Sequence, residues 1–169
     1  MNRNNGSALV AAVIVVAALA FGAQAQTTAP PRDASPVHKR VLTLEMAKAV
    51  GAAAAAYARS VHAGGAIAIV DDGGYLLYLE RLDNTFPAAA SVASGKARTA
   101  ATFRRGTKVF EDAIKNGRTS LVGVTEMVPL EGGVPIVVGG DVVGAIGVSG
   151  AMSAAQDEEI AQAAVKALS

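Results

Sequence analysis

The chain has 169 residues, no cysteine and no tryptophan, and carries 15 Lys+Arg against 14 Asp+Glu. Near-neutral charge and only 4% aromatic residues argue against a nucleic-acid binder, which needs a basic excess and stacking rings. The absence of cysteine excludes thiolate catalysis, disulfides and Cys-based metal sites.

The N-terminal segment carries one positive charge, Arg3, continues through the unbroken apolar run Ala8–Phe21, and reaches the small-x-small triplet Ala23-Gln24-Ala25. That pattern predicts a secretory signal peptide over 1–25 and a periplasmic or secreted mature protein. The run is short for a bilayer span, and no later stretch is apolar for long enough, so no membrane span is expected after cleavage. Loss of Arg3 leaves 14 charges of each sign. Residues 26–40 hold Pro30, Pro31 and Pro36 without apolar periodicity and read as a flexible or extended tether. A single globular domain is expected over 41–169.

Thr43 is a good N-cap for a first helix, with Leu44, Ala47, Val50, Ala54, Tyr57 and Val61 at helical spacing. The helix is expected to reach about Ala63 and stop at Gly64-Gly65. Ala66–Val70 and Tyr75–Leu82 read as paired strands around an Asp72-Gly73 turn. Pro87 suits the start of a second helix running to about Arg105, with a small-residue stripe Ala89, Ala93, Ala97, Ala100. Gly106 stops it, Thr107 caps a third helix Lys108–Asn116, and Gly117 ends that one. Met127–Leu130 reads as a short edge strand interrupted by Pro129.

Val134–Val138 and Val142–Val148 then form a hairpin around Gly139-Gly140-Asp141. Both runs are apolar on nearly every residue, so both faces should be covered. Its glycines point either to tight helix-on-sheet packing or to the approach of a ligand. Ser153 and Gln156 fit a capping box for the last helix. Asp157, Glu158 and Glu159 sit in its first turn, where the helix dipole accounts for them without an active-site role. The expected class is α+β, in the order α-β-β-α-α-β-β-β-α: a five-stranded antiparallel sheet flanked by helices, profilin-like or PAS-like.

No HExxH, P-loop or GxSxG motif is present, and the glycines 144, 147 and 150 do not make a dinucleotide fingerprint. Of the two histidines, His38 lies in the tether and His62 closes the first helix, where a cation complements the dipole; a metal role for His62 is the weaker alternative. The richest constellation is on the second helix. Lys96, Thr99 and Phe103 share one stripe, and Arg98, Thr102 and Arg105 another. Cation, hydroxyl and aromatic together suit an acidic, partly apolar ligand. Arg104, Lys108 and Arg118 add positive charge nearby. Glu131, followed by Gly132 and Gly133, is a candidate partner for Lys96 or an arginine.

Four segments in order resemble one known family: Asp71-Asp72-Gly73-Gly74, Gly95-Lys96-Ala97-Arg98-Thr99-Ala100, Glu131-Gly132-Gly133-Val134-Pro135-Ile136 and Gly144-Ala145-Ile146-Gly147-Val148-Ser149-Gly150. They look like the haem-binding proteins of the GlcG/HbpS type, to which the C-terminal domain of PduO-type proteins is related. The resemblance implies the five-stranded sheet, a homo-oligomer and, as in some exported members, haem as cofactor in sensing or sequestration. It also implies Thr99 as the position matching a threonine implicated as a haem iron ligand. The cofactor-binding set expected is then Lys96, Thr99, Phe103, Arg105, Glu131, Gly132 and Gly133. An alternative is an enzyme acting on a small organic acid, with Lys96 as acid/base or carboxylate clamp and Glu131 as its partner. A third is a scaffold or accessory subunit.

Overall fold

The structure, a computed structural model, describes residues 39–168. The expected signal peptide and all of the tether except Lys39 and Arg40 lie outside the described residues. Those two are tied down: Lys39 pairs with Asp72, and the Arg40 guanidinium donates to the Val138 carbonyl at 3.1 Å.

Helix α1 (Leu44–Ser60) starts where Thr43 Oγ1 accepts the Met46 N–H at 3.2 Å. Strands β1 (Ala66–Asp71) and β2 (Leu76–Arg81) follow, then helices α2 (Ala89–Phe103) and α3 (Lys108–Lys115) and a 3-10 turn at Thr119–Gly123. Strands β3 (Gly133–Val138) and β4 (Asp141–Ser149) and helix α4 (Ala154–Lys166) complete the chain. Among the described residues the sheet has four strands, all antiparallel, in the order β2-β1-β4-β3.

The expected fifth strand at Met127–Leu130 does not form, and the accounting of its N–H groups explains why. Met127 N–H donates to Val124 O, Val128 N–H donates to Thr99 Oγ1, and Pro129 has none. Three of the four residues therefore have no N–H to give to a ladder.

Side-chain alternation divides the sheet into two unequal faces. Ile67, Ile69, Ile146 and Val148 point to one side, where α1 and α4 cover them with Val50, Ala54 and Ile160. Each isoleucine here is at most 1% exposed, contributing roughly 1.5–3 kcal/mol by its burial. The opposite face buries the small cluster Ala66, Ala68, Val70 and Ala145 and meets the alanine stripe Ala89, Ala93, Ala97 and Ala100 of α2. Small residues on both sides bring α2 almost onto the strands. At Gly147 a Cβ would stand 2.1 Å from the Ala93 carbonyl oxygen, and at Gly133 2.6 Å from that of Lys96. Helix-on-sheet packing, rather than ligand approach, accounts for these two glycines.

Three helix ends differ from expectation. Both α1 and α2 close on a non-glycine residue in the left-handed region, His62 (φ 54) and Arg104 (φ 55), before the glycines that were expected to stop them. Thr107 does not cap α3 with its hydroxyl. It turns inward, fully buried, and Thr107 Oγ1 accepts the Gly133 N–H at 2.8 Å. Ser153 does cap α4, accepting the Gln156 N–H at 3.1 Å.

Candidate functional site

The residues singled out on α2 and before β3 fall into two places, an interior clasp and a surface groove. Lys96 belongs to the clasp. Its ammonium donates to Val148 O at 2.9 Å and to Asp157 Oδ2 at 2.8 Å, with side chains only 3% and 8% exposed. Asp157 Oδ1 accepts the Ala151 N–H at 3.0 Å. One buried ion pair thus ties α2, the end of β4 and the start of α4 together. The expected pairing of Lys96 with Glu131 is not what the fold makes. Glu131 Oε1 lies 3.4 Å from Lys108 Nζ, and it is Gly132 that touches Lys96: a Cβ there would stand 3.0 Å from Lys96 Nζ. Gly132 also has φ 119, a backbone that L side chains rarely adopt.

The turn Glu131-Gly132-Gly133 is held by three successive N–H groups, each taken by a different side chain. Glu131 N–H donates to Glu111 Oε2 at 2.5 Å, Gly132 N–H to Glu158 Oε2 at 3.0 Å, and Gly133 N–H to Thr107 Oγ1. Glu111 also pairs with Lys115 at 2.6 Å. Burial works to raise the Glu111 carboxyl, but the Lys115 hydrogen bond, the Glu131 N–H and the charges of Lys115 and Lys108 outweigh it and hold the group below the usual carboxylate range. Desolvation works to lower the Lys108 ammonium, but Asp112 and Glu131 outweigh it and raise the group.

Thr99 is part of the same interior. It is 0% exposed, its hydroxyl donates to Gly95 O at 2.9 Å and it accepts the Val128 N–H at 2.8 Å. A hydroxyl so engaged pins the 124–130 segment to α2. It is not presented to a ligand, and a threonine oxygen is a poor match for iron beside the usual His, Met, Cys or Tyr. The fit of haem to Thr99 is therefore unfavourable in this conformation.

Phe103 and Arg105 belong to the groove. It opens between the end of α2, α3 and the 3-10 turn, with a volume of about 410 Å³, and is lined by Phe103, Arg105, Val109, Phe110, Arg118 and Leu121, among others. The Phe103 and Phe110 rings meet edge-on with centroids 5.4 Å apart. No residue of α3 is fully buried, and Val109 and Phe103 remain 52% and 38% exposed. Lys108 is committed to Asp112 and Glu131, whereas Arg105 and Arg118 make no salt bridge among the described residues. The groove therefore has apolar walls and two uncommitted guanidinium groups, which suits a flat, apolar molecule with carboxylate substituents.

Phe103 and Arg105 were legible from the α2 periodicity, and Arg118 from its charge. Phe110 was missed, although Val109, Phe110 and Ala113 recur at helical spacing on α3. His62 lies in neither place, and among the described residues no three His, Cys, Asp or Glu side chains gather as a metal site. No helix among the described residues is long and apolar enough to cross a membrane.

Comparison with known proteins bears on this geometry. The chain is 47% identical to protein GlcG of Escherichia coli (strain K12) over 111 residues, covering 66% of this chain and 83% of GlcG. Its fold matches a double mutant of Streptomyces reticuli HbpS with a TM-score of 0.75 at 29% identity, over 83% of this chain and 96% of that one. It also matches a PduOC:heme complex with a TM-score of 0.68 at 26% identity, over 76% and 95% of the two chains. A family described as "Haem degrading protein HbpS-like" matches residues 42–166, which takes in every helix and strand above. The alanine-lined α2, the glycine-bearing β4 and the clasp that joins them are thus those of a member of the HbpS-like family, to which this chain belongs.

Proposed function

We propose that the protein binds haem, or a closely similar acidic tetrapyrrole, in the groove between the end of α2 and α3. The observation that carries this reading is the pair of uncommitted arginines, Arg105 and Arg118, at an apolar groove edged by Phe103 and Phe110. The family description and the haem complex of a structural relative support it. Bound haem would supply an iron centre and a conjugated macrocycle; the chain would contribute apolar walls and charge for the propionates. None of the lining residues is a His, Met, Cys or Tyr, so the groove offers no strong axial ligand. Affinity then comes from the macrocycle and its acidic edge.

The test is a haemin titration followed at the Soret band, with metal-free protoporphyrin IX in parallel. Both should bind saturably and with similar affinity. The double variant Arg105→Glu/Arg118→Glu should bind at least about tenfold more weakly, since two charge-assisted contacts are reversed in sign. Unchanged binding by that variant would defeat the reading.

The competing idea of an organic-acid enzyme built on Lys96 and Glu131 loses its geometric support, because the two carboxylate–lysine pairs are separate and Lys96 is buried. The apolar run and small-x-small triplet near the N-terminus support export, which N-terminal sequencing of the mature protein would check. We also read the protein as a homo-oligomer. Edge strand β2 and its preceding turn leave Tyr75, Leu76 and Leu79 at 73%, 51% and 43% exposed, a surface that a second copy would cover. Light scattering that reports a monomer would remove that part of the proposal.

A further inference from the structure

We propose a second binding site, at the C-terminal end of α1, for a small zwitterion of the α-amino-acid type. A cavity of about 490 Å³ opens there, lined by Arg59, His62, Asp83, Asn84 and Thr85 among others. It shares no lining residue with the groove at α3.

The way α1 ends is the first argument. Ala63 N–H returns to Ala58 O at 2.8 Å and His62 N–H to Arg59 O at 3.1 Å, a closing turn that places His62 at φ 54. Glycine is the residue such a turn favours, because a Cβ is strained in the left-handed region. Gly64 and Gly65 follow at once, yet the strained position itself carries an imidazole that lines the cavity. Asn84, on the opposite loop, is also left-handed at φ 61 and lines the same space.

The walls are also positioned from behind. Glu80 lies 3.6 Å from the Arg59 guanidinium and is itself fixed by the Tyr78 hydroxyl, which donates to it at 2.6 Å. Thr85 Oγ1 accepts the Gly65 N–H at 2.8 Å, and Leu82 N–H donates to Gly65 O at 3.0 Å, so the 82–85 loop is anchored to the start of β1. The cavity is a supported polar space rather than a gap under a loose loop.

Its charges select the ligand class. Arg59 and His62 are donors suited to a carboxylate. Asp83 makes no salt bridge among the described residues, and with the negative end of the α1 dipole it suits an ammonium group. A plain carboxylate would face Asp83 and the helix carbonyls unfavourably. A metal ion is disfavoured because, among the described residues, no three His, Cys, Asp or Glu side chains gather there. A sugar is disfavoured because no Phe, Tyr or Trp ring lines the cavity to stack on it.

The experiment is a thermal-shift screen of the full chain against the twenty L-amino acids, followed by calorimetric titration of the strongest. Acetate and ethylammonium serve as the two half-ligands. At least one amino acid should bind saturably, and both halves should bind at least about tenfold more weakly. Asp83→Asn should weaken binding by a similar factor. His62→Gly should weaken binding while raising the melting temperature, because it relieves the left-handed Cβ. Haemin titration should be unchanged in both variants, which separates this site from the groove. No amino acid binding, acetate binding as tightly as the best amino acid, or unchanged binding by both Asp83→Asn and His62→Gly would each overturn the proposal.

Discussion

Thr99 shows how much one hydroxyl can be asked to do. It is buried, it returns a hydrogen bond to its own helix at Gly95, and it satisfies the Val128 N–H that would otherwise be orphaned. Thr99→Val keeps the shape and removes both bonds. Stability to urea should fall by about 1–3 kcal/mol, the cost of leaving buried groups unpaired. Haemin binding should not change, because the groove residues are untouched; a lost Soret shift in this variant would restore Thr99 as an iron ligand. Lys96 and Asp157 allow a similar separation of effects. Lys96→Met strands a buried carboxylate and should cost about 3–5 kcal/mol, whereas Lys96→Met combined with Asp157→Leu should recover most of that loss. Chemical denaturation of the single and double variants reads the difference, and an additive double variant would show that the pair is not coupled.

At the scale of elements, the decisive contact is α2 on β4. Alanine stripes and the missing side chain at Gly147 let a helix backbone reach the strand, so α2 sits too close to leave room for a ligand beneath it. Gly147→Ala would place a methyl group 2.1 Å from Ala93 O and 2.6 Å from Ala97 N, both backbone atoms that cannot swing aside. The helix must lift, at a cost of about 3 kcal/mol or more, with loss of near-native melting behaviour. A melting temperature within a degree or two of the parent would contradict this packing. The sequence made local features legible: the Thr43 and Ser153 caps, the alanine stripe and the glycine-marked turn at Gly139-Gly140 all depend on residues near one another. Non-local contacts were not legible. Met127–Leu130 looked like a strand because nothing nearby reveals that Thr99, 29 residues away, takes the Val128 N–H. Asp157 had a sufficient local explanation in the first turn of α4, which hid its pairing with Lys96 across 61 residues. Glu131 was chosen as the lysine's partner because it borders the glycine turn, but the turn itself keeps it on the side of Lys108.

For the molecule as a whole, the turn at residues 131–133 is where α2, α3, β3, β4 and α4 are joined. Carboxylates from two helices and one threonine hold its three N–H groups, so the domain depends on acids staying ionised. Glu111 is the member whose carboxyl is held below its ordinary value of 4.5, with Lys115 beside it. A group that is more acidic in the folded state than in the unfolded chain contributes stability that is present above the unfolded value and is lost as pH falls towards the folded one. Urea unfolding of the parent at about pH 7 and again at about pH 3.5 should therefore show a stability loss, part of which originates here. Glu111→Gln keeps an acceptor for the Glu131 N–H but cannot titrate and cannot pair with Lys115. It should be less stable than the parent at neutral pH, and the gap between the two should shrink on acidification. Tyr57 and Tyr78 move the opposite way: hydrogen bonds to Glu159 and Glu80 raise both phenols, so their contribution lies below their ordinary value of 10 and fades only in alkali. Acid sensitivity that is identical in the parent and in Glu111→Gln would place the acid-labile joint elsewhere than in this turn.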